Sequence, residues 1–529
     1  MISILFLFFY TYLKYDGAGT KCTSTDPCNY STVLKHTNDF ESHFVILDKK
    51  IKKREHLTAF RKLILAQKTG NSSFVGNTLI NGSLSEYFSP AFLSLNNIDI
   101  TLIGFNFTDF KFPVLHFREN ILSQVINCSF TNFEGDKLLG FIIVGYSHVV
   151  FSNVSFNSIL LSKSMLFSFS CSKIHLLKCY CQNIQITNSF EAIMMLSINS
   201  SVISKYSNFS SINSPLSNLF SMISYSNFYL FANSFTNITA DFCFSLTSSS
   251  SLILESCNFK KNFGSLLIGH PTSNISAINT IFKKNVFPGF HYIILKNAKM
   301  SISLDCLFLK NTGLNMFCLK GSKTFLEMRF TEFTSNVISS EFFFMVMQAK
   351  LRIDDTNFIN NFGYLTIFMI CDQSTAYLKS ATFQNIYSSV FLLAKYGKLK
   401  LSECSFVSDH IISSHFVKVS KSSFSFKNST VKIESSTQLM IFDSAKVKLT
   451  SIIFSESKQK SLSGECVCTN CTFYKKDEFV STKSLDFSIY KYIYLFFGAF
   501  LLLEVSFTIF LSFKESPKSS ASSKQIKID

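Results

Sequence analysis

Through the middle of the chain, apolar residues alternate with polar ones in short runs, and Gly, Asn and Ser separate the runs. A period of two in runs bounded by turn residues predicts β-strands. Ala349-Lys-Leu-Arg-Ile-Asp-Asp-Thr-Asn-Phe358 shows the layout. Leu351 and Ile353 share a face, Asp354 and Asp355 break the phase, and Thr356 and Phe358 resume it. Gly397 to Phe406 and Ala445 to Phe454 repeat it position for position. A third apolar stretch follows, such as Tyr364 to Ile370 or Ser389 to Leu393. No segment between the strands is long enough for a crossover helix, which excludes a βαβ sheet.

The layout recurs. Phe259-Lys-Lys-Asn262, Phe282-Lys-Lys-Asn285, Phe308-Leu-Lys-Asn311, Phe333-Thr-Ser-Asn336 and Phe358-Ile-Asn-Asn361 form the clearest series, and Phe383, Phe406, Val431 and Phe454 continue it. Upstream, Phe107, Phe130, Phe156, Tyr180, Phe209 and Phe235 fit more loosely, and Phe473 closes the series. From 107 to 473 is 366 residues in fifteen steps, a mean near 24. Three strands and three bends in such a repeat make one turn of a parallel β-helix, each strand paired with its copies at about 4.8 Å. The fold predicted for 96–476 is therefore all-β: a single-stranded parallel β-helix, a solenoid of about 16 coils of about 24 residues. Each Phe should pack on the Phe of the next coil. The Asn three places later should take the bend, because Asn tolerates the left-handed region and its amides can ladder up a stack. A leucine-rich repeat would need an L-x-x-L-x-L frame, which is absent.

The two ends carry apolar segments of different kinds. Ile2 to Leu13 suits a signal-peptide core, followed by Gly17, Ala18 and Gly19, so 1–19 is expected to be a leader. Residues 20–95 lie outside the register and should cap the first coil, with Lys49 to Arg54 and a helical-looking His56 to Gln67. After a juxtamembrane linker, 477–491, the run 492–513 is long enough to cross a bilayer as one transmembrane helix. Tyr490, Tyr492 and Tyr494 would sit at one boundary. Lys514, Lys518, Lys524 and Lys527 would place the tail 514–529 inside. Glu504 falls in the middle of that span, where Phe, Leu, Ile and Val outweigh it unless it pairs with another chain's helix. The expected location is the cell membrane, single-pass and type I, with the ectodomain outside.

The repeats resemble those of the polymorphic outer-membrane proteins, whose marks are F-x-x-N and G-G-A-I in a right-handed parallel β-helix. F-x-x-N is intact in the five central units and altered elsewhere, as in Phe130-Thr-Asn132, Phe235-Thr-Asn237 and Phe383-Gln-Asn385. G-G-A-I is replaced by the single glycines Gly264, Gly289, Gly313 and Gly363. A membrane helix stands where bacterial members have a β-barrel, so the chain looks like the eukaryotic surface proteins that carry such repeats. The resemblance implies adhesion or surface display.

Composition narrows the classes. The 529 residues are 47% hydrophobic and 16% charged, with 62 Phe, which excludes a disordered chain. There is no Trp, so stacking on sugars must use Phe or Tyr. Fifty Lys and Arg against 34 Asp and Glu give a formal net charge of +16. Lys260, Lys261, Lys283, Lys284 and Lys310 fall on three consecutive coils just after the Phe, a candidate basic stripe for acidic glycans or anionic headgroups. Lys350, Lys398 and Lys446 lie eight before the repeat hydrophobe at two-coil intervals, and Lys299 and Lys323 fall nearly there, all read as corner residues. Nucleic acid is not an expected partner of an exported chain without a binding motif.

Of the fifteen cysteines, Cys128, Cys257, Cys306, Cys404 and Cys471 lie two before the repeat Phe and share its inward face. Cys257 and Cys306 are two coils apart, about 9.6 Å, beyond the roughly 7 Å a disulfide spans. The disulfide candidates are Cys22 with Cys28 and a pair among Cys466, Cys468 and Cys471. No nearby His completes a metal set there. Asp305, Asp355 and Glu403 share a register three before the Phe on alternate coils, but Phe330 and Ser380 interrupt it, which reads as a polar bend. Twelve N-x-S/T sequons allow a glycoprotein. The expectation is a non-enzymatic surface protein, without cofactor or metal, that binds glycans or host and matrix surfaces along its coil edges. The alternative is a membrane-tethered carbohydrate-active enzyme, a polysaccharide lyase or glycoside hydrolase of pectin lyase-like β-helix fold.

Overall fold

The computed structural model describes residues 10–30, 33, 42–51, 53–65, 72–84 and 91–474, apart from 136–139, 188–192, 290, 409–414, 434–439, 456–461 and 464–465. Each turn is built on three main strands, for example Thr366–Cys371, Thr375–Lys379 and Thr382–Gln384, and four successive turns add a two-residue strand after the Asn, such as Thr312–Gly313. Each pairs in parallel with the like strand of the next turn. Three parallel sheets therefore wrap one core, and the crossovers are right-handed, as parallel connections within a sheet are. The Phe column pairs rung to rung without a break from Phe107 to Phe454, a solenoid body of about 14 turns. This is fewer than the expected count of about 16 coils, because the sixteen rungs from Phe107 to Phe473 enclose fifteen intervals, the last of them closed by the terminal rung at Phe473. The span expected at 492–513 and Glu504 lie outside the described residues. Among the described residues no helix is long and apolar enough to cross a membrane.

Aromatic stacking fills the core. Phe235, Phe259, Phe282, Phe308, Phe333, Phe358, Phe383 and Phe406 stack nearly face to face, with centroids 4.5 to 5.3 Å apart. A second column, Phe317, Phe344 and Phe368, stacks at 4.8 and 4.9 Å and meets the first edge-on. Such pairs contribute about 0.5–1.5 kcal/mol each beyond the area they bury. One member of the expected series is displaced: Phe156 pairs with Cys181, not Tyr180. Cys181 is buried and Tyr180 points outward, because rung alignment is settled by pairing at both neighbours and not by residue type.

The bend after the Phe also differs from expectation. The left-handed residue is the one before the Asn: Lys261, Lys284, Lys310, Ser335 and Asn360 have φ between 53° and 56°. The Asn itself turns inward. Asn262, Asn285, Asn311, Asn336 and Asn361 are all buried. Each of the first four donates its backbone N–H to the Oδ1 of the next, at 3.0 to 3.1 Å. Each Nδ2 donates to the Phe carbonyl one rung back, at 2.7 to 3.1 Å. The amide thus satisfies backbone groups that the bend would otherwise bury unpaired. Where the triplet is instead Phe-x-Asn, Asn132, Asn237 and Asn385 occupy the left-handed place.

At the base, the helix Arg54–Leu65 buries Leu57, Phe60, Leu63 and Ile64. The Phe60 ring lies 5.6 Å from Phe105, and Arg61 Nε donates to the Phe92 carbonyl at 2.6 Å. Beneath the first full turn the second sheet continues through Ser72–Gly76, Ser42–Ile46 and Tyr10–Leu13, inside the segments expected to be cap and leader. Cys22 and Cys28 form a disulfide whose loop clasps this strand: Tyr12 donates to the Cys22 carbonyl and accepts from Cys28.

Phe308→Ala should lower stability by about 3–5 kcal/mol, and Asn311→Ala by about 2–3 kcal/mol. Lys310→Asn should instead gain up to about 1 kcal/mol, since Asn relieves left-handed strain. Urea unfolding of the three variants followed by far-UV circular dichroism checks the order.

Candidate functional site

At the bends most turns put one or two residues into the left-handed region, so each corner displays a column of side chains at rung spacing. Lys261, Lys284 and Lys310 are three consecutive members of one such column and are exposed. Lys260 and Lys283 sit one residue earlier, directly opposite each other on paired strands. All five residues of the expected stripe therefore come together on three stacked rungs. No ion pair involves them among the described residues.

The carboxylate register three before the Phe is the corner of a second column. Asp305, Asp355 and Glu403 have φ of 61°, 47° and 58°, and Phe330 and Ser380 hold the same conformation between them. Ser380 Oγ donates to Glu403 Oε2 at 3.3 Å, and Lys379 Nζ lies 4.0 Å from the same oxygen. Phe330 is 53% exposed, so an outward ring separates Asp305 from Asp355.

The next position inward carries the cysteines. Cys128, Cys257, Cys306 and Cys404 are buried free thiols, and burial pushes each up to about 11. They behave as threonine substitutes: Thr280 N–H donates to Cys306 Sγ at 3.4 Å, while Cys257 N–H donates to Thr280 Oγ1 at 3.4 Å. At the other end Cys468 and Cys471 approach to 2.8 Å between sulfurs, with Cys466 nearby and half-buried. Among the described residues no group of three potential ligands is placed to hold a metal.

The outward face of the second sheet was not recognised from sequence. Lys350, Lys398 and Lys446, expected at a corner, are the first residues of strands Lys350–Asp354, Lys398–Ser402 and Lys446–Ser455. The corner lies just before them, at Gln348, Tyr396 and Ser444, because the chain re-enters the sheet sooner than the spacing suggested. Glu327, Arg329, Arg352 and Asp354 neutralise one another there, with contacts of 2.6, 2.7, 3.7 and 3.8 Å. The signal was the alternation Lys-Leu-Arg-Ile-Asp and Lys-Leu-Lys-Leu, whose polar phase is the outer face.

Further down the rod, Tyr206, Phe231 and Tyr229 form a surface cluster with centroids 5.4 and 6.4 Å apart. Tyr229 donates to Glu255 Oε2 at 2.6 Å, which pushes its phenol up to about 12. His148 and His175 face outward on neighbouring strands, rings 5.0 Å apart. Partial burial holds both imidazoles below their usual range, reinforced at His148 by Lys173 and at His175 by His148, Lys173 and Lys205.

These features define the class as a parallel β-solenoid with laddered surfaces. No protein-family model and no curated protein matches the chain. Among solved structures it is similar to the tailspike protein of E. coli bacteriophage HK620, in complex with pentasaccharide (11% identity, 80% of this chain, 76% of that one, TM-score 0.25). It is also similar to a PL6 family alginate lyase, AlyGC (9%, 88% and 100%, TM-score 0.21). A third is PfbA, a surface adhesin of Streptococcus pneumoniae (8%, 75% and 91%, TM-score 0.19). The expectation that the chain is not an enzyme is withdrawn: the solved structures of similar fold include a polysaccharide lyase, and at these scores the likeness reaches the fold alone. At these scores no site residue transfers from any of them.

Both imidazoles titrate lower in the folded chain than in the unfolded one, so the unfolded state takes up protons first as pH falls. Stability should therefore decline as pH drops below about 6.5. His175→Gln should flatten that decline, as read from urea midpoints between neutral and mildly acidic pH.

Proposed function

We propose that this is a cell-surface β-solenoid that binds glycans along its coil edges, in adhesion or display, of the kind the polymorphic outer-membrane protein repeat implies. The observation that carries this reading is the lysine stripe. Lys260 opposite Lys283 is a like-charge cross-strand pair, which destabilises a sheet. A lysine in the left-handed region costs roughly 1–2 kcal/mol where Asn would cost less. Lys261, Lys284 and Lys310 bear that cost on three turns in succession, within reach of no carboxylate in the ion pairs described. A fold free to use Asn at this corner, as it does at Asn360 and Asn385, holds cations there instead. An acidic glycan laid across the three rungs would neutralise them.

The membrane-attached part of the reading rests on the apolar run 492–513 and on the lysines of 514–529. In intact cells an epitope on that tail should be reached by antibody only after permeabilisation; labelling without it would refute the type I orientation. For the stripe, the full chain carrying Lys260→Glu, Lys261→Glu, Lys283→Glu and Lys284→Glu should lose salt-sensitive binding on a glycan array and on matrix-coated surfaces. Binding that persists unchanged would remove the stripe. Reading the same glycans for chain scission tests the enzymatic alternative.

A further inference from the structure

The outer face of the second sheet carries a two-rung chemical period. One column of directly paired positions reads Lys299, Phe325, Lys350, Thr375, Lys398, Ser423 and Lys446, a lysine on every second rung of seven. The adjacent outward column, two residues along each strand, reads Arg352, Tyr377, Lys400, Ser425 and Lys448. From Lys350 onward the two columns are in phase. Rungs with a pair of cations (Lys350 and Arg352, Lys398 and Lys400, Lys446 and Lys448) alternate with rungs bearing a pair of hydroxyls (Thr375 and Tyr377, Ser423 and Ser425). Cation pairs thus recur at about 9.6 Å, twice the strand spacing, along the rod axis.

Apart from that of Arg352, the cationic charge of the face is not neutralised internally. Arg352 is held by Asp354 and Glu327, and Lys379 reaches Glu403. Lys350, Lys398, Lys400, Lys446 and Lys448 are exposed and enter no ion pair among the described residues. The Arg352 guanidinium sits 5.9 Å from the Tyr377 ring centroid, a cation–π contact at one end of the face. A pyranose ring is about as long as one rung spacing, so successive sugars of a chain lying along the rod meet a cation pair and a hydroxyl pair in turn.

We propose that this face, from Lys350 to Lys448, binds a linear polysaccharide in which acidic and uncharged sugars alternate, its axis parallel to the rod. The inference rests on the glycan-binding reading but uses none of the stripe residues, so the two fail separately. Charge complementarity selects a polyanion; the two-rung period selects one with its charges on alternate sugars.

The test uses the full chain and three probes: hyaluronan fragments, charged on alternate sugars; polygalacturonate, charged on each; and dextran, uncharged. Hyaluronan should bind, weaken with added salt, and lose about ten-fold in affinity or more in Lys398→Gln/Lys400→Gln, about 1.4 kcal/mol shared by two exposed charge contacts. The Glu variants of the stripe should leave this binding intact. Ser423→Lys/Ser425→Lys, which fills a hydroxyl rung with cations, should raise affinity for polygalacturonate more than for hyaluronan. Far-UV circular dichroism and the urea midpoint should match the parent chain in both variants. The proposal is overturned if the Gln variant binds hyaluronan as the parent does. It is overturned equally if the Ser→Lys variant favours both polymers alike, or if phosphatidylserine vesicles or duplex DNA bind with the same affinity and the same dependence on Lys398 and Lys400.

Discussion

A solenoid rung can close only if each bend hands its backbone groups to the rung above and below. Everything else in this chain follows from how that is met. At the bend after the Phe the buried Asn side-chain amide does it, donating to a carbonyl one rung back and accepting from the backbone N–H of the preceding Asn. At the bend before the Phe, Thr and Cys take the part with a hydroxyl or thiol. At the third bend serines do, as where Ser172 N–H donates to Ser200 Oγ. Three polar ladders thus line the corners of an otherwise apolar core, and each is satisfied only because its neighbours are copies of itself.

That arrangement explains which substitutions the repeat tolerates. Thr280 between Cys257 and Cys306 keeps the ladder, since each can accept from one N–H and donate to one carbonyl. Oxidation has no place in it: the thiols are raised by burial and bonded along the rod. The one disulfide among the described residues closes a short loop at the base, where the helix Arg54–Leu65 and the loop around Cys22 and Cys28 take over from the missing rung below.

The same stacking makes the outer surface periodic. Outward side chains inherit the rung spacing whether or not they pack, so a lysine that recurs in the repeat becomes a straight row of charge. Two such rows exist with different periods. The stripe at Lys261, Lys284 and Lys310 is dense, one lysine per rung on strained backbone. The face from Lys350 to Lys448 is sparse, cations on alternate rungs of relaxed strand. On the rungs below the stripe the rod carries aromatic surface, the Tyr206, Tyr229 and Phe231 cluster.

The strands, their parallel stacking and the identity of the core Phe column were legible in the chain itself, because an apolar residue that must meet its own copy recurs at a near-constant interval. So was the gathering of Lys260, Lys261, Lys283, Lys284 and Lys310, which sit beside that marker. What pairing alone decided were the positions whose distance from the marker varies. Bends of unequal length moved Cys181 into the place expected for Tyr180 and set the left-handed residue before the Asn rather than on it. They also carried Lys350, Lys398 and Lys446 from an expected corner onto a flat face, in phase with Arg352, Lys400 and Lys448. Outward residues have no core to declare their register, so only the hydrogen-bonded neighbour on the next rung fixes which of them stand in line.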